Sequence, residues 1–310
     1  MAIGSARSLA RRARETRFRR LARVFLRMLR GALVATFNDG CLGTAKSAAY
    51  SSLLAFFPLL ATVATILVRA RADFVSRQIS TFLSEVLPPG TEDLVFYYFA
   101  VRGKQPFLIP LTGSLLSIWA ASGAIVSLIE GFTAAYRIPT ARSFLHQRMI
   151  ALSLVFSAAI PALIASVMLL FGARAQRTIV SLLGLLPSGA ELSGWVLVFG
   201  SLLRYLIALG AIVFGAAILY RYGPNRPQQW RRVWPGAVLA TVLWLGATSL
   251  FGWYVRHIVN YNVIYGSFAT VIMLLVWMYV LAVIAFIGCE FNAEHERAEA
   301  RNTAFTQRPL

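Results

Sequence analysis

The side chains best placed to do chemistry in this chain are charged and polar groups that fall where lipid should be. Arg204 lies nine residues past Trp195, roughly 13 Å into an apolar segment of about 39 Å at the 1.5 Å rise of an α-helix. A guanidinium at that depth costs at least about 2.5–3.5 kcal/mol unless water, a carbonyl or an anion meets it. No carboxylate is expected at its level: Asp39, Glu130 and Glu290 fall near one membrane face and Glu191 near the other. Arg204 therefore either snorkels to an interface, faces a wet cavity or helix carbonyls, or presents its two-pronged fork to a phosphate or carboxylate. Asp39 and Lys46 are seven apart and share a face if one helix runs through both. Glu130 and Glu290 each close an apolar segment, where the helix dipole disfavours an anion, so Glu290 should find a cation, with Arg231 and Arg232 as candidates. Such a network either gates a path or locks helix ends. Arg204, Asp39, Lys46, Glu130, Glu290 and Asn292 are the candidate substrate-path residues; no catalytic or metal-binding set is expected.

The elements that must position these groups are six apolar runs, at about 45–68, 107–129, 149–172, 195–220, 236–255 and 266–289. A hydrocarbon core of roughly 30 Å needs about 20 helical residues, and each run is long enough. Composition agrees: 310 residues, 58% hydrophobic, mean hydropathy +0.67 and only 14% charged. The fold expected is all-α integral membrane, with six transmembrane helices, outer-face amphipathic helices and a parallel internal repeat. The repeat rests on Leu87-Pro88-Pro89-Gly90-Thr91-Glu92 and Leu186-Pro187-Ser188-Gly189-Ala190-Glu191, which follow amphipathic stretches at 75–86 and from Ile179, and on Pro58 and Pro161, one mid-helix in each preceding span. Parallel repeats of this kind build some transporters, although amphipathic helices also stop at Pro-Gly without any repeat. Small residues at i+4, Gly113-Ser117-Ala121 and Gly123-Ser127-Gly131, let helices approach closely in lipid; they fit packing within one bundle or between two.

Net charge is +18 despite the low charge content. With the N-terminus inside, 20 of the 30 basic residues fall in inner segments and 8 in outer loops. That asymmetry places both termini in the cytoplasm. Residues 1–30 form a basic arm in which Phe18, Leu21, Phe25 and Met28 recur at helical spacing among arginines, suited to an anionic inner leaflet. Nucleic-acid binding and an organellar transit peptide are the weaker alternatives, and no nucleic acid is expected as a partner. Residues 31–295 make the membrane domain and 296–310 a short cytoplasmic tail. Tyr220, Tyr222, Trp230 and Trp234 should mark the inner headgroup level, and Trp253, Tyr254, Tyr261 and Tyr265 the outer one. Cys41 and Cys289 read as reduced, inert thiols.

Several stretches carry a resemblance. Asp39 is followed by Ala48-Ala49-Tyr50 and Phe57-Pro58-Leu59-Leu60. Then come Tyr222-Gly223-Pro224-Asn225, Trp230 with Pro235-Gly236-Ala237, and Tyr265-Gly266-Ser267. Trp277-Met278-Tyr279 and Gly288-Cys289-Glu290-Phe291-Asn292 close the series. In this order, over roughly residues 30–295, the chain resembles the YihY/BrkB family of bacterial inner-membrane proteins. The resemblance implies a six-span protein of the bacterial cytoplasmic membrane but no settled activity. Members have carried a legacy ribonuclease BN label or a virulence label, and some relatives are described as transporters linked to envelope lipids. Metal-dependent RNA hydrolysis needs clustered ligands, and His146, His257 and His295 are isolated here. No Walker A spacing supports an ATP-driven pump, and no cofactor is expected. The function expected is transport or flipping of an amphipathic anion, a lipid or lipid-linked envelope precursor; the alternative is a non-transporting scaffold for envelope proteins.

Overall fold

The structure is a computed structural model that describes residues 23–69, 108–139, 142–182, 194–257 and 268–306. Among these the chain is all-helical: α1 (residues 23–38), α2 (Cys41–Arg69), α3 (Leu108–Ala135), α4 (Phe144–Leu182), α5 (Gly194–Tyr222), α6 (Trp230–His257) and α7 (Phe268–Thr306). Five of them, α3 to α7, are long and apolar enough to cross a membrane. Helix α2 covers the first expected span but opens with Lys46, Ser47, Ser51 and Ser52, which make its first half more polar. Leu115, Phe156, Leu163, Phe199 and Leu250 stand exposed on these helices. In water that surface would drive aggregation; hydrocarbon solvates it as well as a protein interior does.

Asn38-Asp39-Gly40 breaks the chain between α1 and α2. Gly40 adopts φ +72°, a left-handed conformation that glycine takes without a Cβ penalty. The Asp39 N–H donates to the Ala35 carbonyl at 2.8 Å. Asp39 is therefore a turn residue, and the helix face that it was expected to share with Lys46 does not exist. Helix α3 ends in the same manner with a harder residue: Ile138 N–H donates to Thr133 and Arg137 N–H to Ala134, with Arg137 itself at φ 52°.

Helix pairs close through small residues. Between α2 and α3, Ser47 and Ser127 hydroxyls are 3.0 Å apart. Ser51 lies on Gly123 and Thr62 on Gly113. Between α4 and α5, Pro161 packs on Gly215. Pro58 and Pro161 each fall 17 residues beyond the first residue of their helices, and each faces a glycine of the following helix, Gly113 or Gly215. The small-residue stripes are thus intramolecular seams at Gly113, Gly123 and Gly131.

Two helices outrun the bilayer. Helices α4 and α7 have 39 residues each, about 58 Å at 1.5 Å per residue. The amphipathic segment expected to start separately at Ile179 instead continues α4 unbroken to Leu182. Its counterpart at residues 75–86, both LPxGxE-like segments, and Tyr261, Tyr265 and Gly266 lie outside the described residues. Helix α7 carries the segment after 296 in the same helix as far as Thr306.

The core gathers at one end, where α2 begins, α3 and α5 end, α6 begins and the second half of α7 passes. Phe132 meets Tyr220 and Phe286 edge-on, at 5.3 and 5.8 Å between ring centroids. The Tyr220 hydroxyl donates to the Ala285 carbonyl at 2.8 Å, tying α5 to α7. Tyr220 is thus fully buried, and not a headgroup marker as its position in the run implied; Tyr222 and Trp234 keep that exposure. Gly236 and Gly288 bring α6 and α7 into backbone contact, and a methyl on either would collide with the other's carbonyl. The side chain of Asn292 fastens that crossing: its Oδ1 accepts from Gly236 N–H at 2.7 Å and its amide donates to Val233 at 3.1 Å. Phe25 of α1 rests on Phe291 at 5.5 Å, so the last part of the basic arm docks on the bundle.

Candidate functional site

At the packed end, α7 carries Glu290 past the α1–α2 turn with no exposed surface. The expected partners do not reach it. Arg231 is exposed. Arg232 binds Glu296 at 3.0 Å and Glu299 at 3.5 Å, and Arg226 also pairs with Glu296. The cation nearest Glu290 is Arg297, 4.0 Å away, whose guanidinium already donates to Glu294 at 2.6 Å and to the Ala135 carbonyl at 2.5 Å. Glu290 faces the Asp39 carboxyl at hydrogen-bonding range, and the cation beside Asp39 among the described residues is Arg137, at 3.8 Å. Both Glu290 oxygens and Asp39 Oδ2 are buried without a donor. Two carboxylates offer each other no hydrogen unless one holds a proton. Next to them, burial first and then the charges of Glu290 and Asp39 push the Cys41 thiol up to about 12. A thiol so far from ionising is a poor nucleophile.

A second polar feature was not read from the sequence. Arg142, between α3 and α4, donates through Nε to Asn225 Oδ1 at 3.1 Å, through Nη1 to the Gly223 carbonyl at 2.9 Å and through Nη2 to the Pro224 carbonyl at 3.0 Å. It staples the Tyr222-Gly223-Pro224-Asn225 turn. Beneath the staple lies a pocket of about 370 Å³ lined by Arg142, Arg221, Arg226, Gln228 and their neighbours, with no carboxylate among the lining residues. One lining residue leads to aromatic rings: Arg221 lies 4.7 Å over the Trp230 ring, which stacks on Phe214 at 5.8 Å. No spacing rule connects Arg142 to acceptors more than 80 residues away; the turn signal Gly-Pro-Asn was the only local hint.

Arg204 sits on the inward stripe of α5. Ala208 and Gly215 continue that stripe and are buried, whereas Leu202, Leu203, Tyr205 and Leu206 on the other faces are exposed. Its Nε is buried without a hydrogen bond, and no ion pair to it exists among the described residues. Arg148, in the first turns of α4, lies 4.0 Å over the Trp119 ring and donates to the Trp119 carbonyl at 2.8 Å. Between α5, α6 and α7 an apolar cleft of about 150 Å³ is lined by residues such as Ile212, Leu219, Thr241 and Trp244.

The remaining candidates are dispersed. Lys46, Tyr50 and Glu130 are exposed, and Glu130 accepts only a 3.4 Å bond from Gln147. Asn292 is buried with both ends of its amide used. Pro235 lies inside the first turns of α6, Trp277 is buried against Phe251, and Tyr279 packs beside the aromatic core. The histidines stand on three different helices, and among the described residues no three His, Cys, Asp or Glu side chains converge as a metal site.

Comparison with known proteins places this arrangement. The family model described as "Virulence factor BrkB" matches residues 32–309. The chain belongs to the virulence factor BrkB family. Relatives of this BrkB-family chain include "Putative ribonuclease-like protein YfkH" of Bacillus subtilis, 28% identical over 81% of this chain and 89% of that protein. A "UPF0761 membrane protein" of Tolumonas auensis is 28% identical over 79% of this chain and 77% of its own length. Another from Delftia acidovorans is 27% identical over 83% of this chain but 59% of its own. No solved structure matches the chain. The protein is a multi-pass membrane protein of a bacterial family.

Proposed function

We propose that this BrkB-family protein is a six-crossing transporter or flippase for an amphipathic anion, a lipid or lipid-linked envelope precursor, in the bacterial inner membrane. Helix α2 supplies the sixth crossing, and the basic excess sets both termini in the cytoplasm. The protein acts without a cofactor and without chemistry on its cargo.

The observation that carries this reading is Arg204, a guanidinium on the inward stripe of a membrane-crossing helix with no described carboxylate to meet it. Such a group is retained against a cost of a few kcal/mol, and it marks a path or an anion site. Two further features support it. The arginine pocket beneath the Arg142 staple lies at an aromatic-rimmed bundle end, where headgroups sit. The matched placement of Pro58 facing Gly113 and Pro161 facing Gly215 fits a parallel repeat of α2–α3 and α4–α5, an architecture that transporters use.

The test is purified protein in vesicles whose inner and outer leaflets carry fluorescent phosphatidylglycerol, with a membrane-impermeant quencher outside. Wild type moves the probe faster than protein-free vesicles, and Arg204→Ala slows it at least about tenfold, the equivalent of one 1.4 kcal/mol interaction, with unchanged melting temperature. Equal rates for wild type, variant and empty vesicles would leave the scaffold reading instead.

A further inference from the structure

An ionised Glu290 would be costly where it stands. It has no exposed surface, neither oxygen receives a hydrogen bond, and its closest cation stands 4.0 Å off with its better bonds given to Glu294 and Ala135. A buried carboxylate left in that condition is penalised by several kcal/mol. The Asp39 carboxyl that faces it adds like-charge repulsion, because two carboxylates at hydrogen-bonding range cannot both ionise readily. A proton removes both penalties at once: it neutralises one group and becomes the missing hydrogen between them. It also needs no room, unlike a metal ion, for which no third ligand converges among the described residues.

We propose that Asp39 and Glu290 bind one proton between them, and that its release loosens the α1–α2 turn from α7. The charged and titratable groups facing the pair are Cys41 from α2, Tyr136 and Arg137 from the end of α3, and Cys289, Glu294 and Arg297 from α7. Burial above all raises the Tyr136 hydroxyl, so it remains protonated, as does the Cys41 thiol. The carboxyl pair is then the member of this group left to take up or release a proton. When the proton leaves, two negative charges share an enclosed site where the cations among the described residues are Arg137, mostly exposed, and Arg297, already engaged. Repulsion then pushes the turn away from α7. In a transporter this is the coupling ion; that role rests on the transport reading, whereas the proton site does not.

The test is infrared difference spectroscopy of the full-length protein in lipid nanodiscs, following the carboxylic-acid carbonyl band and its shift in heavy water. Wild type shows a protonated carboxyl at neutral pH, and both Glu290→Gln and Asp39→Asn lose it while remaining folded, since an amide supplies the hydrogen that the proton gave. The melting temperature of wild type falls as pH rises above the ordinary carboxyl range, because the folded state holds a proton that the unfolded chain has released; Glu290→Gln flattens that slope. Absence of the band in wild type, or its survival in both variants, overturns the site. A pH gradient across vesicles changes probe movement by wild type and not by Glu290→Gln. If the band behaves as expected and the gradient has no effect on a working transporter, coupling is overturned. If no probe moves at all, the transport reading fails and the spectroscopy still decides the proton.

Discussion

Around Phe132, Tyr220 and Phe286 a methyl added at Gly131, Gly223 or Gly288 would collide with a neighbouring ring, hydroxyl or carbonyl; further along the same bundle, Gly210 and Gly246 have nothing within 4 Å. The first region is a hub in which α3, α5, α6 and α7 touch through glycine and are cross-tied by Tyr220 and Asn292. The second is the stretch of α5 and α6 around Arg204, where the described side chains are largely exposed. Lipid gives helices no hydrophobic reason to associate, so close packing and hydrogen bonds decide where they hold. The contrast therefore assigns rigidity to the crossing of α3, α5, α6 and α7 and leaves relative movement to the stretch around Arg204.

Breaking the hub should have the largest effect. Gly288→Ala places its methyl against the Tyr220 hydroxyl and the Gly236 carbonyl; backbone cannot yield as a flexible side chain does. Overpacking costs about 1–3 kcal/mol, occasionally more, and with unyielding backbone at 2.8 Å the upper end applies; it outweighs alanine's helix-propensity gain of roughly 1 kcal/mol and should appear as a lowered melting temperature and loss of monodisperse protein in detergent. Tyr220→Phe removes only the 2.8 Å bond to Ala285 and should cost less, about 0.5–1.5 kcal/mol, read in the same thermal assay. The smallest effect should have the opposite sign. Gly210→Ala meets open space and should stabilise by up to about 1 kcal/mol. A Gly210 variant as damaging as the Gly288 one would erase the distinction between the two regions.

Much of this architecture is legible in the residues. Long apolar runs announce helices because nothing else satisfies the backbone in hydrocarbon, and five helices long and apolar enough to cross a membrane occur where runs were read. The stripes at Gly113, Gly123 and Gly131 also lie on the helix contacts that their spacing implied. What periodicity cannot supply is the identity of the neighbour. Glu290 was expected to take Arg231 or Arg232, but α7 continues past Glu290 as helix and offers Glu296 and Glu299 to Arg232 first. Tyr220 looked like a headgroup marker because it closes an apolar run; its burial depends on Phe132, 88 residues away, turning an edge towards it. The break at Asp39 is different, since Asp-Gly is a turn signal in its own right and outweighs a seven-residue spacing.

Helix α7 has one more implication. From Phe268 to Thr306 it contains no proline and no break, so it behaves as a stiff lever whose hydrophilic tip, with Arg297, Glu299 and Arg301, stands beyond the hydrocarbon. Whatever grasps that handle exerts torque directly on the Gly236–Gly288 fulcrum, and Glu290, two residues further along, moves with it.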